Sequence, residues 1–394
     1  MKTIIIVLDS VGIGYAPAAP AYGDPGAAPL PNIGKATGGL PPPPPKNPPP
    51  PPTAPRLDGS PAIPGIPPVD HPLADFGAMQ EVSQGKDTIT GHWEIAGLEL
   101  NPGFHLFPPD YPSFPSDLLD AFTRQTGRGV LGNKAASGTG IIDEFGEQHI
   151  QTGHWILYTS GDSVFQIAAH EDIVPIQELY RACDIARALC DPLRVGRVIA
   201  RPFIGQPGAF QRTHNRKDYA YLPSEPTILE RVHDAGIPTY AVGKIEDIYA
   251  HRGITESDHT GNNLQSQKAL ETFHAKPGPG FIFANFIDFD MLYGHRRDPQ
   301  GYADSLVQTD QWLAGFLPKL QPDDLLIITA DHGNDPTAPG TDHTREIVPL
   351  LVLGPHQTGT WLGLRQGYYD IAQSIATHYN LPPLPRGQSF LSPS

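Results

Sequence analysis

The sequence predicts an α/β protein built on a mostly parallel sheet between helices, with a second α+β domain inserted into it. Three observations carry this. Short runs of aliphatic and β-branched residues recur and end in polar or glycine-rich corners; runs with helical spacing lie between them; and the middle of the chain breaks the alternation. Near-continuous apolar runs mark strands buried on both faces, as parallel sheets require. Alternation of such strands with helices is the signature of a layered α/β fold.

The strand candidates are Thr3 to Leu8, Tyr240 to Val242, Phe281 to Ile287, Leu325 to Thr329 and Leu350 to Leu353. One helical pattern, Ile228, Leu229 and Val232, stops at Gly236 and Pro238. Another, through Leu306, Leu313, Phe316, Leu317 and Leu320, stops at Pro322. Residues 101–219 open with Asn101-Pro102-Gly103 and hold several short strand candidates and a helix around Cys183. The first strand needs those after residue 239 to complete one sheet, so 101–219 reads as an insertion between core segments 1–100 and 220–394.

The chain has 46 prolines and 41 glycines among 394 residues, but 21 of those prolines fall in the first 72 positions. Residues 41–55 alone hold 11. Proline lacks the backbone donor and disfavours helix in the residue before it, so this stretch is expected to be a polyproline II ribbon on the surface of the core. A rigid connector is the simpler reading; an SH3- or WW-type ligand is the functional one.

With 27 Lys and Arg against 42 Asp and Glu, the net charge of −15 repels nucleic acid and anionic membranes. A small anionic substrate stays possible through local cations. The apolar run Ile4 to Leu8 is too short for a signal-peptide core or a membrane span. Cys183 and Cys190 lie two helical turns apart and cannot bridge. Together these features point to a soluble protein of the reducing cytosol, with no obligate protein partner evident.

Metal-type ligands cluster after the strand candidates. Asp9 follows the first; Asp288 and Asp290 follow the third, with His295 beyond them; Asp331 and His332 follow the fourth; His343 precedes the fifth. Ligands gather at the carboxyl ends of strands in open α/β sheets, so these neighbourhoods can converge. Mixed imidazole and carboxylate sites suit Mn²⁺ or Zn²⁺ better than Mg²⁺. Two metals together suit in-line displacement at phosphorus. The segment Gly85 to Glu94 offers threonine hydroxyls in a glycine-bounded loop expected to open a helix, where free N–H groups favour phosphate.

Longer strings carry a resemblance. GKDTITGHWEIAG (85–97), IDFDMLYGHRRDP (287–299), ITADHGNDPT (328–337) and GTDHTRE (340–346) resemble signatures of the phosphopentomutase family, within the alkaline phosphatase superfamily. LDSVGIG (8–14), SGTGIIDEFGEQHI (137–150), DSVFQIAAHE (162–171), VGRVIARPF (195–203), RTHNRKDYA (212–220) and AVGKIEDIYA (241–250) extend it across nearly the whole chain. The resemblance implies an alkaline-phosphatase-like core with an inserted cap. It implies interconversion of ribose or deoxyribose 1-phosphate and 5-phosphate through a pentose 1,5-bisphosphate, and a sugar bisphosphate primer such as glucose 1,6-bisphosphate.

Residue by residue, Thr88 matches the threonine that carries the phosphoryl group. Asp9, Asp331 and His332 match one Mn²⁺ site, and Asp290, His295 and His343 the other, with phosphorylated Thr88 bridging them. Asp288 matches no ligand position and is expected behind the ligands. Ser160, Asp162 and Val164 match cap residues facing the ribose; Arg197, Arg212 and Lys244 match cations for the distal phosphate. A cap is expected because water would hydrolyse an open phosphothreonine. The sequence departs from the family at Ala28 and Pro29, where a polar pair is usual, at 41–55, where a short helix is usual, and at Gly140, where an acidic residue is usual. A related phosphatase, phosphodiesterase or cofactor-independent phosphoglycerate mutase would share the metal ligands but not the cap strings.

Overall fold

The computed structural model describes residues 1–40, 63–66, 72–355 and 359–391, so the 41–55 proline expectation lies outside the described residues. The chain forms two compact units, residues 1–101 with 223–394, and residues 102–222.

The first unit holds a nine-stranded sheet. Its order runs Glu256–Asp258, Thr239–Val242, Gly280–Phe286, Lys2–Leu8, Leu325–Thr329, Glu346–Leu353, Asp75–Gln80, Trp361–Gln366, and the short Gly14–Tyr15 pairs with Glu346–Leu353. The strands flanking Lys2–Leu8 are parallel to it, with Leu8 opposite Phe286 and Val7 opposite Thr329. These three strands therefore end at one edge, which is where Asp9, Asp290 and Asp331 emerge. Glu346–Leu353 runs antiparallel to Leu325–Thr329. Its beginning, not its end, lies at that edge, so the loop before it brings His343 there. Ile4, Ile5, Val7, Phe281, Phe283 and Ile327 are fully buried, in keeping with runs covered on both faces.

The second helical pattern differs from expectation at its end. The helix spans Pro299–Phe316 and tightens into a 3₁₀ turn at Leu317–Lys319, leaving Leu320 outside. Pro318 removes the donor that another α turn would need. Ala28 and Pro29 are accommodated: Pro29 opens the helix Pro29–Ala36, a position where its missing donor costs nothing. The Ala28 N–H donates to Asp335 Oδ2 at 3.1 Å.

The second unit is a six-stranded mixed sheet whose main order is Val130–Ala135, Trp155–Thr159, Val164–His170, Arg197–Ile204 and Gln211–Arg212, with Lys217–Ala220 also on Arg197–Ile204. Leu157, Phe165, Ile167, Val198 and Ala200 pack on one face with residues of the helices Ser116–Thr126 and Ile176–Cys190. Ile156, Tyr158, Ala168 and Phe203 cluster on the other with Ile141 and Ile142 of the helix Gly138–Thr152. The alternation is the period-two pleat of a strand. Cys183 and Cys190 are buried free thiols, and burial pushes Cys190 up to about 12. Gly140 has its N–H capped by Ser137 Oγ at 3.1 Å.

Candidate active site

Thr88 is the first residue of the helix Thr88–Ile95. The cap is Asp87, whose carboxylate accepts from the N–H groups of Ile89 and Thr90 at 3.1 Å each. The usual structural duty of a threonine at such a place is thus done by its neighbour, and Thr88 Oγ1 lies 3.2 Å from His332 Nε2 instead. The helix approaches Asp331 so closely that a Cβ on Gly91 would stand 2.1 Å from the Asp331 carbonyl oxygen. Only glycine fits there.

Around Thr88 the structure gathers the six metal-type residues. Donor atoms of Asp9, Asp331 and His332 lie within 4.8 Å of one another, as do those of Asp290, His332 and His343. His332 stands between the two groups, with its ring centroid 4.1 Å from that of His343. His295 Nε2 reaches Asp290 Oδ2 at 3.3 Å. That pairing follows from a π-turn over Phe289–Gly294, in which the His295 N–H bonds the Asp290 carbonyl five residues back at 3.1 Å.

The imidazoles are oriented from behind. His332 Nδ1–H donates to the Gly333 carbonyl at 3.0 Å and His295 Nδ1–H to the Thr341 carbonyl at 2.6 Å, which turns both Nε2 atoms toward the carboxylates. Asp9 Oδ1 is buried without a hydrogen bond among the described residues, and Asp331 Oδ2 is buried with His92 Nδ1 3.1 Å away. Buried carboxylate oxygens with nothing to accept are costly unless a cation takes them, so these residues fit divalent metal ions.

Burial, then the neighbouring Asp331, raises Asp9 above the usual carboxylate range. Burial acts the same way on Asp331, but His332 and His92 outweigh it and hold Asp331 at about 2. Asp290 is likewise pulled well down, against burial, chiefly by His343 and His295.

The remaining expected residues fall in two places. Lys244 donates from Nζ to Asp9 Oδ2 at 3.1 Å, at the carboxylate cluster. Asp162, Val164 and Arg197 meet in the inserted unit, where Val164 pairs with Arg197 across strands and Arg197 Nη2 lies 3.1 Å from Asp162 Oδ2. Ser160 directly follows the strand Trp155–Thr159, and Arg212 sits on the short strand opposite Phe203. Asp288 Oδ2 accepts from the Asn263 N–H at 2.9 Å.

Sequence reasoning missed three contributors. His92 Nδ1 lies 2.9 Å from the Thr88 carbonyl and 3.1 Å from Asp331 Oδ2; its position four residues after Thr88 on one helix was the available signal. Asn334 Nδ2 donates to Asp290 Oδ1 at 2.8 Å. Ser10, at a left-handed φ of 76°, turns its N–H onto Asp331 Oδ1 at 3.1 Å, a strained conformation that the site holds in place.

The fold and this cluster define a metalloenzyme, and residues 1–383 match the metalloenzyme superfamily. The chain is 50% identical over 395 residues to a phosphopentomutase of Caldanaerobacter subterraneus, covering 99% of this chain and 97% of that protein. It is 48% identical over 392 residues to a phosphopentomutase of Anaeromyxobacter dehalogenans, at the same coverage. The chain belongs to the phosphopentomutase family, and is an isomerase of the intramolecular phosphotransferase type. Among solved structures, the PH0037 protein of Pyrococcus horikoshii aligns over 99% of both chains with a TM-score of 0.46 at 15% identity.

Proposed function

We propose that this phosphopentomutase interconverts ribose or deoxyribose 1-phosphate and 5-phosphate through a phosphothreonine at Thr88 and a pentose 1,5-bisphosphate. The observation that carries the reading is the placement of Thr88 Oγ1, 3.2 Å from His332 Nε2 at the meeting of the two ligand groups. Asp9, Asp331 and His332 would hold one Mn²⁺ and Asp290, His295 and His343 the other. Bound there, the ions supply Lewis-acid stabilisation of the phosphoryl oxygens and lower the barrier to forming an alkoxide.

In the first half-reaction the acceptor hydroxyl of the pentose monophosphate attacks the phosphorus on Thr88. The new P–O bond to the sugar forms as the bond to Thr88 Oγ1 breaks, and the hydroxyl proton balances the charge on Oγ1. The second half-reaction runs in reverse with the other phosphate, restoring the enzyme. A sugar bisphosphate such as glucose 1,6-bisphosphate primes the cycle. His92 and Asp87 keep Thr88 in place, through its carbonyl and through the helix start. Ser160, Asp162 and Val164 face the ribose in this reading, and Arg197, Arg212 and Lys244 serve the distal phosphate, where guanidinium gives bidentate recognition. The buried free thiols Cys183 and Cys190 suit a reducing cytosol. Among the described residues no helix is long and apolar enough to cross a membrane.

The test supplies ribose 1-phosphate, Mn²⁺ and the bisphosphate primer and follows ribose 5-phosphate and free phosphate together. Accumulation of ribose 5-phosphate with little free phosphate is expected. Free phosphate as the main product would replace the mutase reading with a hydrolase.

A further inference from the structure

We propose that Arg201 is a further contact for the distal phosphate, clamping it together with Arg212 beside the Tyr158 hydroxyl. The proposal rests on the reading above that the substrate is a phosphorylated pentose.

The strand Arg197–Ile204 sends Val198 and Ala200 to the face packed by the helices Ser116–Thr126 and Ile176–Cys190. By the pleat, Arg197, Ile199, Arg201 and Phe203 point the other way. Phe203 is covered there with Ile141 and Ile142, and the two arginines share the rest of that row. Their charges are not in the same condition. Arg197 is already engaged by Asp162 at 3.1 Å and by Asp218 at 3.8 Å. Arg216 is held by Asp218 at 2.7 Å. Among the described residues Arg201 and Arg212 make no ion pair, and Arg201 Nε donates to the neutral Gln166 Oε1 at 3.0 Å.

Two further observations point to a ligand. Tyr158 is 1% exposed, and among the described residues its hydroxyl has no partner other than the Arg201 guanidinium beside it. The charges acting on it are those of Arg201, Arg212 and Arg216. At the first turn of Gly138–Thr152, a Cβ on Gly138 would stand 2.9 Å from Tyr158 Oη and 3.4 Å from Arg212 Nη1. Glycine leaves that space open between a hydroxyl and a guanidinium.

Half-buried guanidiniums without counter-charges, of which Arg201 is one while Arg212 lies exposed beside it, are unfavourable. In a chain of net charge −15 they persist where an anion completes them. A phosphate accepts bidentate bonds from planar guanidinium and a third from a phenol. Burial and the positive Arg216 and Arg212 also weaken the hold of Arg201 on its proton, while Tyr158 and Asp218 oppose this; a dianion would reinforce the charged state.

The test compares full-length wild type, Arg201→Ala, Arg201→Lys, Gly138→Ala and Arg197→Ala, measuring kcat and KM for ribose 5-phosphate and inhibition by inorganic phosphate. Arg201→Ala is expected to raise KM on the order of tenfold or more, to weaken phosphate inhibition in parallel and to change kcat far less. Arg201→Lys should recover part of the loss by restoring the point charge. Gly138→Ala should raise KM without removing a charge, and Arg197→Ala should have the smaller effect on phosphate inhibition. KM and phosphate inhibition within about twofold of wild type in both Arg201 variants would overturn the proposal, as would a fall in kcat and melting temperature with KM unmoved. Release of free phosphate by the wild type would instead sink the mutase reading, and the phosphate inhibition series would still decide the role of Arg201.

Discussion

At the edge of the larger sheet, Asp9, Asp290 and Asp331 lie buried with His332, His343 and one lysine about them. On the sheet of the inserted unit, Arg201, Arg212 and Arg216 act on Tyr158, and Arg197 lies on the same strand as Arg201, with Asp162 and Asp218 neutralising Arg197 and Arg216. One region has too few cations for its carboxylates and the other too few carboxylates for its cations. In the readings proposed above, each is completed by a ligand of the opposite sign: metal ions in the first, a phosphate in the second. The overall charge of −15 describes neither. It is an average over two sites whose local balance has opposite sign, which lets an acidic protein bind an anionic substrate.

The largest effect expected within this comparison falls on the carboxylate side. Thr88→Ala should lower mutase turnover by on the order of 10⁴-fold or more, as loss of a nucleophile does, while metal content measured by atomic absorption stays near wild type. A variant that kept turnover would remove Thr88 from its role. On the arginine side the support is hydrophobic: Phe165, fully buried between Phe114 and Phe122, anchors the sheet. Phe165→Ala should cost about 3–5 kcal/mol of stability in urea unfolding and leave metal content unaltered; a loss under about 1 kcal/mol would show that this core is not what supports the arginine face.

Chelation sharpens the contrast further. Stripping metal held at about a hundredfold its Kd removes about 3 kcal/mol of stabilisation. Hydrogen exchange should then quicken around Asp9, Asp331 and the Thr88–Ile95 helix but not in Val164–His170. Equal quickening in both would argue against separate ligand demands.

The smallest effect is a pH dependence. The side-chain hydrogen bond to Arg128 pulls Glu178 below its usual value of 4.5, against burial. Its stabilisation is therefore present above the unfolded value and lost as pH falls through the folded one. Arg128 Nε and Glu178 Oε1 are 2.6 Å apart but partly exposed, so Glu178→Gln should cost about 0.2–1 kcal/mol at pH 7, and the difference from wild type should shrink as pH falls below the unfolded value and through the folded one. A difference that grew in acid would contradict the assignment.

The central strands were legible because burial on both faces leaves nearly unbroken apolar runs, as in Ile4 to Leu8 and Phe281 to Ile287. Asp75–Gln80 and Trp361–Gln366 were not: the first reads DFGAMQ, and the second is largely solvent-facing, with a pairing irregularity between Trp361 and Leu364. Neither shows an aliphatic run or a clean alternation. The cluster of candidate ligands was legible because its members lie beside strand ends. That His332 stands in both donor groups depends on side-chain directions no spacing encodes. Arg201 lay unremarked inside VGRVIARPF, since only the three-dimensional pairing tells which arginine has already met its carboxylates.

The most direct test of the account is to incubate the enzyme with Mn²⁺ and glucose 1,6-bisphosphate carrying labelled phosphate, and then to add unlabelled ribose 5-phosphate. The account predicts label on Thr88 that passes quantitatively into pentose phosphate. Turnover with Thr88 unlabelled, or label that passes from Thr88 to water, would contradict it.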